Sequence, residues 1–463
     1  MEEILTGYQT NSTTWFYYSL LLIVTVFFKF NRLWSLRNFD LLLLLSISPG
    51  LIFIKYGEPF GETIPPGWSV HPSAIGYGWI FISSILLLLR LMCDGFFKRR
   101  PRLEQNLNVP GMVFLALSAF AFLMTEAATE IPPQSVVNTI REGHNMLHLV
   151  DETASDEEQD AKLAGPTQRT VAGVSNVISG AVVAGDVNQT RIEQIAVRTM
   201  TIIAHIAVLT GLFFVGRNQF GDSQLGVAMA TFYLLLPCTA YNVHSADHVI
   251  PAALVVWAFA AYRRPVWSGM FFGLACGAVF FPIFLLPVWL MHYKGRGGLR
   301  FASSFLVTGA ILVSTLILTS SSTHSFHTQL VGTIDWKILS FGRDSVSGFW
   351  LWNTDSWAYR IPIFVCYVIG IVVMTVRTAS RRNLETLIAY STAIVLGTQF
   401  WYCSAGGVYI LWYLPMMLLV VFRPRLGHLV PPENRVGGEA QVQLPATNES
   451  SRSAKLMRTR TLH

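Results

Sequence analysis

The sequence predicts an all-α fold: a polytopic transmembrane helix bundle of about 11–13 spans, with a long outer loop and a disordered basic tail. Three observations carry this. Of 463 residues, 52% are hydrophobic and only 13% charged, about half the charged share of a soluble domain. The apolar residues fall in blocks, many about 15 to 25 long, the length that crosses a bilayer core as helix. Basic residues gather in short connections on alternate sides of those blocks, as topology requires. A soluble globular enzyme, a disordered regulator and a disulfide scaffold are thereby excluded.

The spans are expected at roughly 14–28, 38–54, 74–92, 109–126, 199–216, 223–240, 248–262, 267–293, 301–319, 361–376, 384–402 and 406–422. The first block follows Met1-Glu2-Glu3 and has no basic leader, so it is expected to stay as a span. With the N-terminus outside, 24 of the 33 Lys and Arg lie in the inner loops and tail, and 19 of the 27 acids lie outside. The formal charge of +6 is therefore read as topology, with no nucleic-acid partner. One block resists simple bookkeeping. Arg263-Arg264 and Lys294-Gly295-Arg296 flank 267–293, and both call for the inner side. A hairpin broken near Phe280-Phe281-Pro282 satisfies both, because proline lacks a helix donor; the alternative is one long tilted helix with inverted topology beyond it. The parts are then 1–126, N-terminal spans; 127–198, an acidic outer loop; 199–422, a transmembrane core with an outer loop at 320–360; and 423–463, a cytoplasmic disordered tail. Within the acidic loop, Val171–Ala184 is rich in small residues and is expected to lie on the membrane or to fold back on the bundle. The five cysteines form no C-x-x-C pair and are read as small buried hydrophobes.

Ionisable groups at a membrane boundary are costly and often functional. The stretch Leu236-Pro237-Cys238-Thr239-Ala240-Tyr241-Asn242-Val243-His244-Ser245-Ala246-Asp247-His248 joins two spans at the outer face. His244 and His248 have i, i+4 spacing and would share a helix face; with Asp247 they are candidates for holding a phosphate. The bland reading makes Asp247 a cap on the next helix. No metal site is assigned, since a third and fourth ligand cannot be named. Glu126 and Glu130 follow the fourth span at the same spacing, where partial desolvation suits a general base; the alternative is a solvated helix end. Glu58 and Glu62 are weaker candidates of the same kind. The acid run from Asp151 reads as solvated surface. In loop 320–360, Lys337 and Arg343 are rare outer-face cations suited to a phosphate. Trp336, Trp350, Trp352 and Trp357 beside them would stack on sugar rings or form an interfacial belt.

Residues 191–319 resemble the C-type (GT-C) membrane glycosyltransferases, especially the bacterial branch that uses polyprenyl-phosphate mannose. The layout carries the resemblance. A span ends in Leu234-Leu235-Leu236-Pro237, and a short polar turn runs from His244 to His248. Pro251-Ala252-Ala253-Leu254-Val255-Val256-Trp257-Ala258 then leads into Arg263-Arg264-Pro265. A glycine-containing helix follows, Trp267-Ser268-Gly269-Met270-Phe271-Phe272-Gly273-Leu274-Ala275-Cys276-Gly277, before Pro282, Pro287 and a basic loop. Many relatives carry a lysine where this chain has Val279-Phe280-Phe281. The resemblance implies an integral-membrane glycosyltransferase that moves a sugar from a polyprenyl-phosphate donor to an acceptor on the outer face. Glu130, Asp247 or Glu126 would be the catalytic carboxylate. Arg343, Lys337, His248 or His244 would meet the donor phosphate. The expected partners are a lipid-linked sugar and membrane lipid. No cofactor is implied, a divalent metal being left open. The location would be the plasma membrane if the cell is bacterial. Two other readings compete: a transporter or flippase with broken helices at its site, and a non-catalytic scaffold docking through 127–198 and the tail.

Overall fold

A computed structural model describes residues 12–61, 63–96, 105–129, 132–148, 164–182, 189–320, 323–333, 348–352, 357–403 and 407–431. Among them there is no strand ladder, and the helices form one bundle. In chain order they are α1 Ser12–Phe27, α2 Leu36–Leu45, α3 Ser48–Gly57, α4 Pro72–Met92, α5 Val109–Thr129, α6 Gln134–His148, α7 Pro166–Val182, α8 Gln189–Asn218, α9 Ser223–Leu235, α10 Pro237–Tyr241, α11 Ala246–Ala260, α12 Pro265–Ala278, α13 Leu286–Tyr293, α14 Gly295–Thr319, α15 Thr323–Thr333, α16 Phe349–Trp352, α17 Arg360–Ser380, α18 Leu384–Trp401 and α19 Ile410–Phe422. The tail expected to be disordered lies outside the described residues from 432 onward.

Six described stretches are long and apolar enough to cross a membrane: Leu36–Phe60, Pro72–Met92, Val109–Thr129, Thr190–Asn218, Gly295–Thr319 and Arg360–Ser380. Several turn apolar side chains outward: Phe114 on α5, Leu318 on α14 and Val376 on α17 are largely exposed, the expected state of a surface that faces lipid. Inside them sit shorter apolar helices, α9, α11, α12 and α19. Every residue of α19 is buried, so it stands at the centre. The inner helices are short for local reasons. Asp222 Oδ1 accepts from the backbone N–H of Gln224 at 2.8 Å and starts α9. Pro237 cannot donate into the ladder and ends it.

The block 267–293 folds back on itself. Val279 is extended between α12 and a 3-10 turn, Phe281–Leu285. The rings of Phe272 and Trp289, one on each arm, are 5.5 Å apart. The Tyr293 hydroxyl donates to the Tyr262 carbonyl at 2.7 Å and closes the open end. Arg263-Arg264 and Lys294-Arg296 therefore share one end of the bundle, called here the basic end. On α12, Gly269, Gly273 and Gly277 form one stripe against α14. A Cβ on Gly269 would stand 2.4 Å from the Phe301 carbonyl oxygen, and one on Gly273 would stand 2.9 Å from Thr308 Cβ. Small residues at this spacing let two membrane helices meet backbone to backbone.

The segment expected as an outer loop at 127–198 contains α6, α7 and the first turns of α8. α6 is amphipathic, with Val136, Thr139, Ile140, Gly143 and Met146 buried. At the basic end, buried charges tie the chain's two halves. Arg90 grips Asp40 with Nε at 2.6 Å and Nη2 at 3.0 Å, and reaches Asp94 at 3.0 Å. Arg423 bonds Asp94 and the Glu385 carbonyl, and lies 3.3 Å from the Glu385 carboxylate.

Candidate functional site

Helix lengths place the polar groups by depth. At 1.5 Å per residue, Glu126 stands about 26 Å along α5 from its basic end, and Lys55 about 28 Å along α2 and α3. Both lie near the far boundary of an apolar core about 30 Å thick. Tyr241 ends α10 at a similar height. These three side chains line one cleft with Trp15, Phe16, Ser48, Leu51, Ile52, Pro237 and Ala240. Lys55 Nζ stands 5.6 Å from the centroid of the Tyr241 ring, within the range of a cation–π attraction. Trp15 stacks on Phe122, one turn before Glu126, with ring centres 4.5 Å apart. Glu58, a turn beyond Lys55, adds negative charge beside Lys55, Tyr77 and Tyr241. The cleft has room for about one or two water molecules, so its walls must part to admit a sugar ring.

A kinked backbone presents Tyr241. Pro237 opens α10 after the extended Leu236, and Thr239 Oγ1 donates to the Tyr233 carbonyl at 2.6 Å. Beneath the next turn lies His205 of α8, fully buried. Its Nε2 is 3.0 Å from the Val243 carbonyl, and its Nδ1 is 3.1 Å from the Tyr233 hydroxyl. That pair of bonds pins the turn that leads from Tyr241 to Asp247.

A second polar group opens α11. Asp247 lies in the first turn, where the helix dipole favours a carboxylate, and its Oδ1 accepts from the His248 backbone N–H at 3.1 Å. His248 Nδ1 accepts the Trp412 indole N–H at 3.1 Å. An indole nitrogen only donates, so this bond places the proton of a neutral His248 on Nε2, which is 3.8 Å from Asp247 Oδ2. The imidazole stands edge-on to Tyr409 and Trp412, which stack on each other at 4.2 Å. Gln168 of α7 donates to the Asp247 carbonyl at 2.6 Å. Arg169 beside it pairs with Glu142 at 3.1 Å and reaches Gln329 of α15 at 3.3 Å.

The structure therefore sorts the sequence candidates. Glu126 stands in the cleft, and Asp247 and His248 stand together at the head of α11. His244 precedes α11 in a turn, so it shares no helix face with His248; α11 starts two residues too late for the i, i+4 pairing. Glu130, Glu62, Lys337 and Arg343, with Trp336, lie outside the described residues. Trp350 is buried against Phe81 and Trp352 stacks on His71 at 4.3 Å, so both pack within the protein. Among the described residues no group of three metal-ligating side chains converges. Sequence reasoning missed Lys55, His205, Gln168 and Trp412. Lys55 left one signal, being one of nine basic residues assigned to the outer side.

Comparison with known proteins adds the family. No curated protein and no solved structure matches the chain. Residues 187–404, from α8 to the end of α18, match the model of glycosyltransferase family 87. Over these residues, a little under half of its length, the chain is thus similar to glycosyltransferase family 87, and the match supports an integral, multi-pass membrane glycosyltransferase of the C type.

Proposed function

We propose that the cleft of Glu126, Lys55 and Tyr241 is where a sugar passes from a polyprenyl-phosphate donor to an acceptor hydroxyl on the outer face. The observation that carries this is the pairing of a carboxylate and a cation in one cleft at the far boundary of the bundle. That is the height at which a lipid-borne phosphate sits. The acceptor oxygen attacks the anomeric carbon, and the bond from that carbon to the phosphate oxygen breaks. The lipid phosphate departs with the electron pair, and the acceptor proton goes to the Glu126 carboxylate. Lys55 offsets the charge that grows on the leaving phosphate, the kind of electrostatic help such a group requires. His248 and Asp247 form a second polar wall; Asp247 is the alternative base, and Glu130, four residues after Glu126, is a third. Arg343 and Lys337 would supply further phosphate contacts, and His244 stays a lesser candidate. The outer face is that of the plasma membrane in a bacterial cell.

The test uses purified protein in lipid with polyprenyl-phosphate mannose, glucose or arabinose and an acceptor extract. Glu126→Gln should slow transfer about 10²–10⁴-fold, the usual worth of a general base, with KM for the donor little changed. Lys55→Met should chiefly lower kcat, because the charge it offsets grows only as the phosphate leaves. Full activity in Glu126→Gln together with loss in Asp247→Asn would move the base to α11. Full activity in both would reject this site.

A further inference from the structure

α7 is built inside out. Its exposed side chains include Val174, Val177 and Ile178, which are 50%, 59% and 42% exposed, on one helical stripe. Apart from Ala172, its buried side chains are polar: Thr167, Gln168, Arg169, Ser175, Asn176 and Ser179. A helix on a water-facing surface has the reverse pattern. The polar face is used inside the protein. Beyond the bonds of Gln168 and Arg169, Asn176 meets His144 Nδ1 at 2.7 Å, and Ser179 meets Thr199 at 3.2 Å.

The depth of α7 says what covers the stripe. At its start, a Cβ on Gly165 would touch the Gly277 carbonyl oxygen at 2.3 Å. Gly277 lies about 18 Å along α12 from the basic end. Near its other end Ser179 meets Thr199, about 28 Å along α8 from that end. From Thr167 to Ser179 the helix runs about 18 Å yet climbs only about 10 Å. It therefore slants strongly and stays within the upper part of an apolar layer about 30 Å deep. The start of α7 also meets α14: Thr167 and Leu312 both crowd Gly277, and on α14 Val307, Ile311 and Leu318 are exposed.

We infer that α7 is embedded in the far half of the bilayer, with Val174, Val177 and Ile178 against the acyl chains of bulk phospholipid. Its polar face turns inward and holds the Asp247 backbone, so α7 is the wall between the α11 turn and the lipid. This conclusion needs no particular reaction at the cleft.

The test places a nitroxide at Val174→Cys, Val177→Cys and Ile178→Cys in turn, with the five native cysteines replaced, in protein reconstituted into phosphatidylcholine vesicles. Collisions with oxygen should exceed those with a water-soluble nickel chelate at all three positions, as at Leu318→Cys. They should reverse at Arg296→Cys, in the basic connection. Nickel access at 174, 177 and 178 equal to that at 296 would overturn the proposal. So would labels that neither collider reaches, which would mean a protein covers the stripe. A second measurement uses the unaltered chain and phosphatidylcholine with a carbene-generating acyl chain. Label is expected on residues 170–181 as well as on α14; label on α14 alone would also overturn it.

Discussion

A buried imidazole between a phenol and a carbonyl has one tautomer that satisfies both. The Val243 carbonyl only accepts, so His205 Nε2 must carry the proton, and Nδ1 is left to accept from the Tyr233 hydroxyl. His205→Phe removes both bonds and leaves the carbonyl and the hydroxyl buried without them. Each such loss costs about 1–3 kcal/mol, so the Tm should fall clearly in detergent. His205→Gln, which can still donate to Val243, should recover part of it. An unchanged Tm in His205→Phe would show that the turn before Asp247 is held by packing alone. Sequence reading passed over His205 because a single imidazole within a span looks like any other interruption of an apolar run. Lys55 was missed for a related reason: a lone lysine at the end of a span reads as a side chain reaching for the interface. Only the packing of α3 against α10 sets it beside Tyr241, in the cleft that Glu126 also lines.

At the level of elements, the charges flanking 267–293 made the hairpin legible, since two basic pairs cannot both lie inside across one crossing. The turn falls at Val279, one residue before the expected Phe280, because Pro282 has no N–H to give the carbonyl four residues back, that of Ala278, and α12 ends there. The family-like glycines were legible as a pattern, but their partner α14 was not. Within the acidic loop only Val171–Ala184 stood out, by its small residues; α6 went unread although it is amphipathic, and α7 was not read as a helix because it turns its polar side inward, against the rule for water-facing helices. α6 carries its own signature in pH. Burial first, and then neighbouring His148, push the His144 pKa below its ordinary 6.5, against the pull of Glu193. As pH falls below that ordinary value, the unfolded chain takes up a proton that the folded chain refuses, so folding weakens. The Asn176 bond to Nδ1 is lost with the same protonation. Between about pH 7 and 5, the protection of α6 and α7 against proteolysis should fall in the wild type. His144→Gln should flatten that dependence; an identical pH profile in the two would remove His144 as its source.

Across the whole molecule, the matched segment 187–404 does not stand alone. Asp40, Arg90 and Asp94 come from helices before it, Glu385 from its last helix, and Arg423 from beyond it. The cleft repeats this pattern at the other end, with Lys55 and Glu126 from the N-terminal helices and Tyr241 from the matched segment. The N-terminal spans are therefore part of the site's frame, and the charge cluster is what fixes them to it. Buried ions behave asymmetrically: removing one partner strands the other, whereas removing a balanced set costs little. Arg90→Met should lower stability by about 3–5 kcal/mol, because Asp40 and Asp94 are left without their shared guanidinium. Replacing Asp40, Arg90, Asp94 and Arg423 together by leucine and methionine removes two charges of each sign, and should return most of that loss. Thermal unfolding of both variants in the same detergent decides it. If the single and the fourfold replacement unfold at the same temperature as the wild type, the cluster does not hold the two halves together. The frame of the cleft would then have to come from apolar packing, such as that of α5 on α9 and of α1 and α3 on α10.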